Sequence, residues 1–133
     1  MNWKLVIILV AVGAVMAVLS VYGILQSGFE LVIWILFGLI SAYLIAKIGG
    51  RMPFVEGTVV GILSGLVNAV IQSAMFNTYL LNNPQSLDGF KELPVAMQPQ
   101  YVILFAGPFI GIIYGIIVGI IALSLRKIVR DNQ

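Results

Sequence analysis

Four long apolar runs alternate with short polar segments along this chain, at 5–25, 31–46, 58–81 and 102–125. A helix needs about 20 residues to cross a hydrocarbon core ~30 Å thick, whereas a spanning strand is about half as long and alternates in polarity. The pattern therefore predicts an all-α protein, a polytopic membrane four-helix bundle (up-down-up-down). We expect one transmembrane domain over 1–133, with spans at about 5–25, 29–48, 55–81 and 101–125 and an extracytoplasmic loop at 82–100.

The composition narrows the chemistry. The chain is 61% apolar and only 9% charged, whereas soluble domains carry about 25% charged residues. It has no cysteine and no histidine, which excludes disulfides, thiol catalysis and the commonest metal ligands. The carboxylates are scattered over both predicted sides of the membrane. We therefore expect no enzyme, no metal site, no cofactor and no nucleic-acid partner.

The basic residues predict an orientation. Six of the seven lie in the N-terminal segment, the second connection or the tail, and Lys91 is the exception. Because Lys and Arg in short loops are retained in the cytoplasm, both termini are expected there, as an even number of spans requires. The lipid bilayer is thus the first partner expected for this chain.

The second and third connections carry helix boundary signals. Gly49 and Gly50 are predicted to end the second helix in the left-handed conformation, and Pro53 to begin the third. Glu56 has two interpretations, a cap near Arg51 and the helix N-terminus or a proton or cation relay. In the third connection, the Asn83-Pro84 turn and Ser86 predict the start of a short amphipathic turn on the membrane surface.

Glycine recurs at every fourth position in the third and fourth spans. These positions form two glycine ladders: Gly57, Gly61 and Gly65, and Gly107, Gly111, Gly115 and Gly119. Because lipid tails are as apolar as leucine, small residues at this spacing favour close backbone approach. The ladders predict a glycine zipper between the third and fourth helices, although they would also suit a contact between subunits. Gly23, outside the ladders, is expected to tolerate leucine better than Gly61 or Gly111.

A polar stripe runs beside the third-span ladder. At ~100° per residue, Ser64, Asn68 and Gln72 lie on the same face as the glycines. Buried amides need hydrogen-bond partners, so they either join helices or line a path for a small solute. We expect a dry interface in which the amides bond to neighbouring helices, with these candidate partners: Ser20, Ser41, Tyr43 and Tyr114.

The chain resembles small four-helix bacterial inner-membrane proteins of unknown function. The resemblance covers nearly the whole chain and rests on four features: the opening Met-Asn-Trp-Lys, Gly61 and Gly65 with Asn68 and Gln72, the Asn82-Asn83-Pro84 turn, and Gly107-Pro108. It implies no activity, substrate or cofactor.

Two classes of function remain open. The leading one is a non-enzymatic structural or accessory membrane component that acts through helix–helix contacts, as a homo-oligomer or beside a larger membrane-protein partner. The alternative is a small channel or transporter with a polar path along Ser64, Asn68 and Gln72. The absence of an ionisable residue at the middle of any span weighs against proton-coupled transport.

Overall fold

The computed structural model describes residues 1–94 and 96–131, apart from the side chains of Ser27, Arg130 and Asp131. Arg130 and Asp131 belong to the predicted cytoplasmic tail, and their side chains are thus outside the described part of the structure. The regular elements in these ranges are helices: α1 (Trp3–Val21), α2 (Ser27–Ile48), α3 (Pro53–Ala74), α4 (Phe76–Asn82), α5 (Ser86–Lys91) and α6 (Pro99–Asp131). By length and composition, α1, α2, α3 and α6 could each cross a membrane. The predicted all-helical chain with four long apolar helices is confirmed.

The sequence predicted a first helix that continues to residue 25. In the structure, α1 ends at Val21. Gly23 has a φ of 72°, its N–H donates to the Ser20 carbonyl, and the N–H of Ile24 donates to the Leu19 carbonyl. These two bonds form a Schellman motif, which ends a helix on a left-handed glycine. Leucine at Gly23 is expected to be harmful as well, because a side chain strains that backbone and a Cβ would lie 2.7 Å from the Asn82 carbonyl oxygen; that it is less harmful than leucine at Gly61 or Gly111 stays a prediction.

The second connection also departs from its prediction. Gly49 ends α2 with φ −66° and ψ 172°, and Gly23 is the only glycine with positive φ in the described ranges. The left-handed conformation predicted for Gly49 and Gly50 is therefore wrong. Space explains Gly50 instead, since a Cβ there would lie 2.5 Å from Oε1 of Glu56. Pro53 does occupy the start of α3, as predicted.

The third apolar run is divided, whereas the sequence predicted one span over 55–81. The helical ladder is interrupted at Met75, and α4 follows as a separate short helix. Beyond it the Asn83 side chain is buried and donates 2.9 Å bonds to the carbonyls of Ser20 and Tyr79. The chain thus bends over the C-terminal end of α1, a tertiary contact that a local hydropathy pattern does not contain.

The third connection contains the short helix that the turn signals predicted. It is α5, which begins at Ser86 and carries an exposed 3.0 Å ion pair between Lys91 and Asp88. The following helix, α6, extends well past the predicted end at 125 and keeps Pro108 in its interior.

The four long helices pack in the order α1–α3–α6–α2. The most extensive contact joins α3 to α6, while α1 packs on α3, α2 packs on α6, and α1 and α2 barely touch. One end of the assembly brings Asn2, Gly50, Glu56 and Arg126 together. Long helices that follow one another along the chain consequently run in opposite directions. Side chains from all four form the core, including Val6, Ile45, Val60 and Val118.

Candidate functional site

The two glycine ladders lie against each other where α3 meets α6. A Cβ built on Gly57 would lie 2.5 Å from the Cα of Gly119, and one on Gly65 would lie 2.6 Å from the Cα of Gly111. Between these pairs, a Cβ on Gly61 would overlap the backbone of Gly115. The pairs advance by four residues in opposite directions, so the helices are antiparallel and approach along their backbones. All seven predicted packing glycines lie in this contact.

The same geometry continues for one further turn. A Cβ on Gly107 would overlap the Cβ of Ala69, which is itself buried. Ala69 was not among the predicted packing residues, although it continues the four-residue spacing from Gly65. That spacing, together with the small side chain, is the signal that could have identified it.

The polar stripe of α3 turns partly towards α1. Ser64 is fully buried, and a Cβ on Gly13 would lie 3.0 Å from its Oγ. Gln72 donates a long hydrogen bond, 3.4 Å, from Nε2 to Oγ of Ser20, one of its four predicted partners. Hydrogen bonds between membrane helices contribute only about 0.6 kcal/mol on average. This bond therefore adds little to the stability of the α1–α3 contact.

Asn68 lacks the hydrogen bond to a neighbouring helix that the sequence predicted. Its Oδ1 is buried without a hydrogen-bond partner, and the residue borders a partly open cavity of about 460 Å³ between α2, α3 and α6. We call this space the α2–α3–α6 cavity. The bond is not made because the glycines bring α3 close to α6, while α2 packs mainly on α6 and makes only a small contact with α3.

The α2–α3–α6 cavity is lined mainly by apolar side chains and glycine backbone. Trp34 of α2 and Tyr114 of α6 are in edge-to-face contact, with ring centroids 5.6 Å apart, and both line it. The Tyr114 hydroxyl donates a 2.9 Å bond to the Trp34 carbonyl, so this predicted amide partner is used elsewhere. At the other end Phe90 of α5 closes part of the space.

A second polar cluster lies at the end of the bundle opposite α5. The Glu56 side chain is fully buried, and its Oε1 accepts bonds from the N–H groups of Asn2 (2.5 Å) and Gly50 (2.7 Å). The Arg126 guanidinium donates to the carbonyl of Gly50. Glu56 therefore joins the start of α1 to the α2–α3 connection, and the Gly50 carbonyl in that connection binds α6. In the described ranges its bonds go to these groups, so the predicted cap near Arg51 is wrong.

The structure separates only part of what the sequence grouped together. Ser64 is buried in the α1–α3 interface, whereas Asn68 and Gln72 border the cavity. Four ladder glycines belong both to the α3–α6 contact and to the cavity wall: Gly61, Gly65, Gly107 and Gly111. Sequence reasoning missed the roles of Trp34 and Phe90, because apolar aromatic residues in an apolar chain carry no distinguishing signal. In the described ranges no three acidic side chains converge where a metal ion could bind.

Comparison with known proteins gives no relative. No family model, curated protein or solved structure matches this chain.

Proposed function

We propose that this chain is a multi-pass membrane protein without enzymatic activity, a structural or accessory component that acts through helix–helix contacts. The observation that carries the proposal is the backbone approach of α3 and α6 through both glycine ladders. In lipid, close packing replaces the hydrophobic effect as the source of helix association. The long helices also expose large apolar side chains all along their outer faces, as a lipid-facing surface requires.

We propose further that both termini face the cytoplasm of a bacterial inner membrane. Asn2, Gly50 and Arg126 lie together at one end of the bundle. Most of the basic residues are close in sequence to one of these three. The opposite end carries α5, where the single basic residue Lys91 is paired with Asp88. In inner-membrane proteins, Lys and Arg are concentrated in the cytoplasmic loops. The distribution of basic residues in this chain supports the proposed orientation in the same way.

The absence of cysteine from the sequence allows a direct test of this orientation. Single cysteines would be introduced by Gly89→Cys on α5 and by Met52→Cys in the α2–α3 connection, since both positions are exposed. In intact cells, a membrane-impermeant maleimide should label the first and not the second. Labelling of the Met52→Cys protein alone would reverse the orientation, and labelling of both would refute the spanning arrangement.

Helix–helix action can be tested in native membranes. A photoreactive side chain would be placed at exposed positions of three helices, Ile7 on α1, Ile35 on α2 and Phe109 on α6. An accessory or self-associating component should give a discrete protein adduct from one face and only lipid adducts from the others. Lipid adducts from all three positions would contradict the proposal.

The alternative, a solute path along Ser64, Asn68 and Gln72, has less support from the geometry. Ser64 is fully buried against α1, Gln72 is bonded to Ser20, and the adjoining cavity is mainly apolar. Vesicles containing the protein should therefore leak glycerol and urea no faster than empty vesicles. Flux that Asn68→Leu with Gln72→Leu abolishes, and that Asn82→Leu on the exposed face of α4 leaves intact, would favour the conduit.

A further inference from the structure

The α2–α3–α6 cavity has no role in the helix contacts described above. Its volume of about 460 Å³ lies within the ~300–1,000 Å³ of pockets that hold small ligands. Protein interiors are normally packed without voids of this size. The cavity is partly open, and the helices around it are long and apolar enough to lie in a bilayer. In that setting, lipid is the most abundant molecule around the helices that could fill it.

Polarity changes along the length of the cavity. With a rise of ~1.5 Å per residue, Gln72 and Asn68 lie about 3 and 9 Å from the α3 end at Ala74, and Gly61 lies about 20 Å from it. The amides are therefore at the α5 end of the cavity, beside Phe90, while Gly61 and Tyr114 line the other end. An occupant with a polar head near the bilayer surface and an apolar tail matches this order.

The residues that line the cavity also limit the kind of head group that an occupant can have. No Lys, Arg, Asp or Glu of the described ranges lines the cavity, so nothing there balances a phosphate or an ammonium group. Asn68 has Oδ1 buried without a partner, and the Gln72 bond to Ser20 is long. A neutral group that both donates and accepts, such as a hydroxyl, suits two amides of this kind.

We propose that the α2–α3–α6 cavity binds a neutral single-chain lipid of the monoacylglycerol class. Its hydroxyl-bearing head hydrogen-bonds to Asn68 and Gln72, and its acyl chain extends over the glycine face of α3 towards Gly61. One chain is favoured over two because a volume of about 460 Å³ is in the range of pockets that hold one small ligand. This inference goes beyond the proposed function, since helix–helix contacts require no ligand.

Trp34 supplies a reporter for the test. The chain has two tryptophans, so Trp3→Phe leaves Trp34 as the only one, on the wall of the cavity. The protein would be reconstituted in phosphatidylcholine vesicles, and its fluorescence measured with monoacylglycerol brominated in the chain or with phosphatidylcholine brominated at the same carbons. At equal bromine content, we expect the monoacylglycerol to quench Trp34 more strongly. Equal quenching by the two lipids would overturn the proposal.

Filling the cavity should remove this preference. Ala106 lines the cavity on α6, and Ala106→Phe should reduce quenching by the monoacylglycerol to the phosphatidylcholine level. The matched control is Ala11→Phe on the exposed face of α1, which should leave the preference unchanged. A preference that survives Ala106→Phe would place the lipid elsewhere and overturn the assignment.

A second variant keeps the proposal testable if Ala106→Phe fails to fold. Asn68→Leu retains the volume but removes the hydrogen-bonding group, so half-maximal quenching should require roughly fivefold more monoacylglycerol, the factor for one neutral hydrogen bond. Quenching by brominated phosphatidylcholine should not change. An unaltered monoacylglycerol response in Asn68→Leu would contradict the proposed head-group contact.

Discussion

Gly61→Ala is the most direct test of the backbone contact between α3 and α6. A Cβ at this position would overlap the backbone of Gly115 and lie 2.7 Å from the carbonyl oxygen of Gly111. Both obstacles are main-chain atoms, so the new methyl group cannot be accommodated by a change of side-chain rotamer. The two helices have to move apart along the contact.

The magnitude follows from a comparison with Gly28→Ala. Gly28 also lies in a long helix, but a Cβ there would meet nothing within 4 Å. Alanine favours a helix over glycine by up to about 1 kcal/mol, and this gain has the same sign in both variants. Overpacking typically costs about 1–3 kcal/mol. Since the contact is with backbone, we expect Gly61→Ala to be about 2–3 kcal/mol less stable than Gly28→Ala.

The assay is unfolding in mixed micelles of increasing SDS content, followed by tryptophan fluorescence. A difference of about 2–3 kcal/mol corresponds to roughly a 30- to 150-fold change in the unfolding equilibrium constant. Because the contact lies within one chain, the difference should not depend on protein concentration. Equal stability of the two variants would refute the packing argument, and a concentration-dependent difference would assign the ladders to an interface between subunits.

Three other changes test separate contacts. Asn83→Ala should lower the free energy of unfolding by about 1–3 kcal/mol in the same titration, because it removes both hydrogen bonds that the buried amide donates, whereas the exposed Asn82→Ala should have little effect; similar losses would contradict this. Gly23→Ala should lower the free energy of unfolding by about 1–2 kcal/mol because φ at this position is 72°. An unchanged free energy would mean that the left-handed turn is not required. Glu56→Ala should accelerate amide hydrogen exchange at Gly50, which loses its acceptor, and Glu30→Ala should not; unchanged exchange at Gly50 would show that the carboxylate does not hold this connection.

The sequence predicts elements that depend on neighbouring residues. Apolar length identified four long helices, and the Asn83-Pro84 turn with Ser86 identified α5. Gly23 carried a readable stop signal as well, since glycine after a helix commonly adopts positive φ. That signal was not weighed against the apolar run around it, so the end of α1 was placed too late.

Features that depend on which helices become neighbours were not predictable. Asn68 and Gln72 share one stripe of α3, but whether they enter an interface or border a cavity depends on how far α2 lies from α3. Glu56 is similar, because its acceptor role requires Asn2 and Gly50 to converge from distant parts of the chain. A sequence specifies the face of a helix, whereas the partner of that face is a property of the whole assembly.

The order α1–α3–α6–α2 has a consequence for biogenesis. The first two helices to be synthesised barely touch, and each packs mainly on a helix made later, α1 on α3 and α2 on α6. In the proposed membrane arrangement, α1 and α2 therefore lack their main contacts until α3 and α6 have been made. Separately expressed 1–50 and 51–133 fragments should consequently combine, with the second fragment acting as the template on which the first one folds.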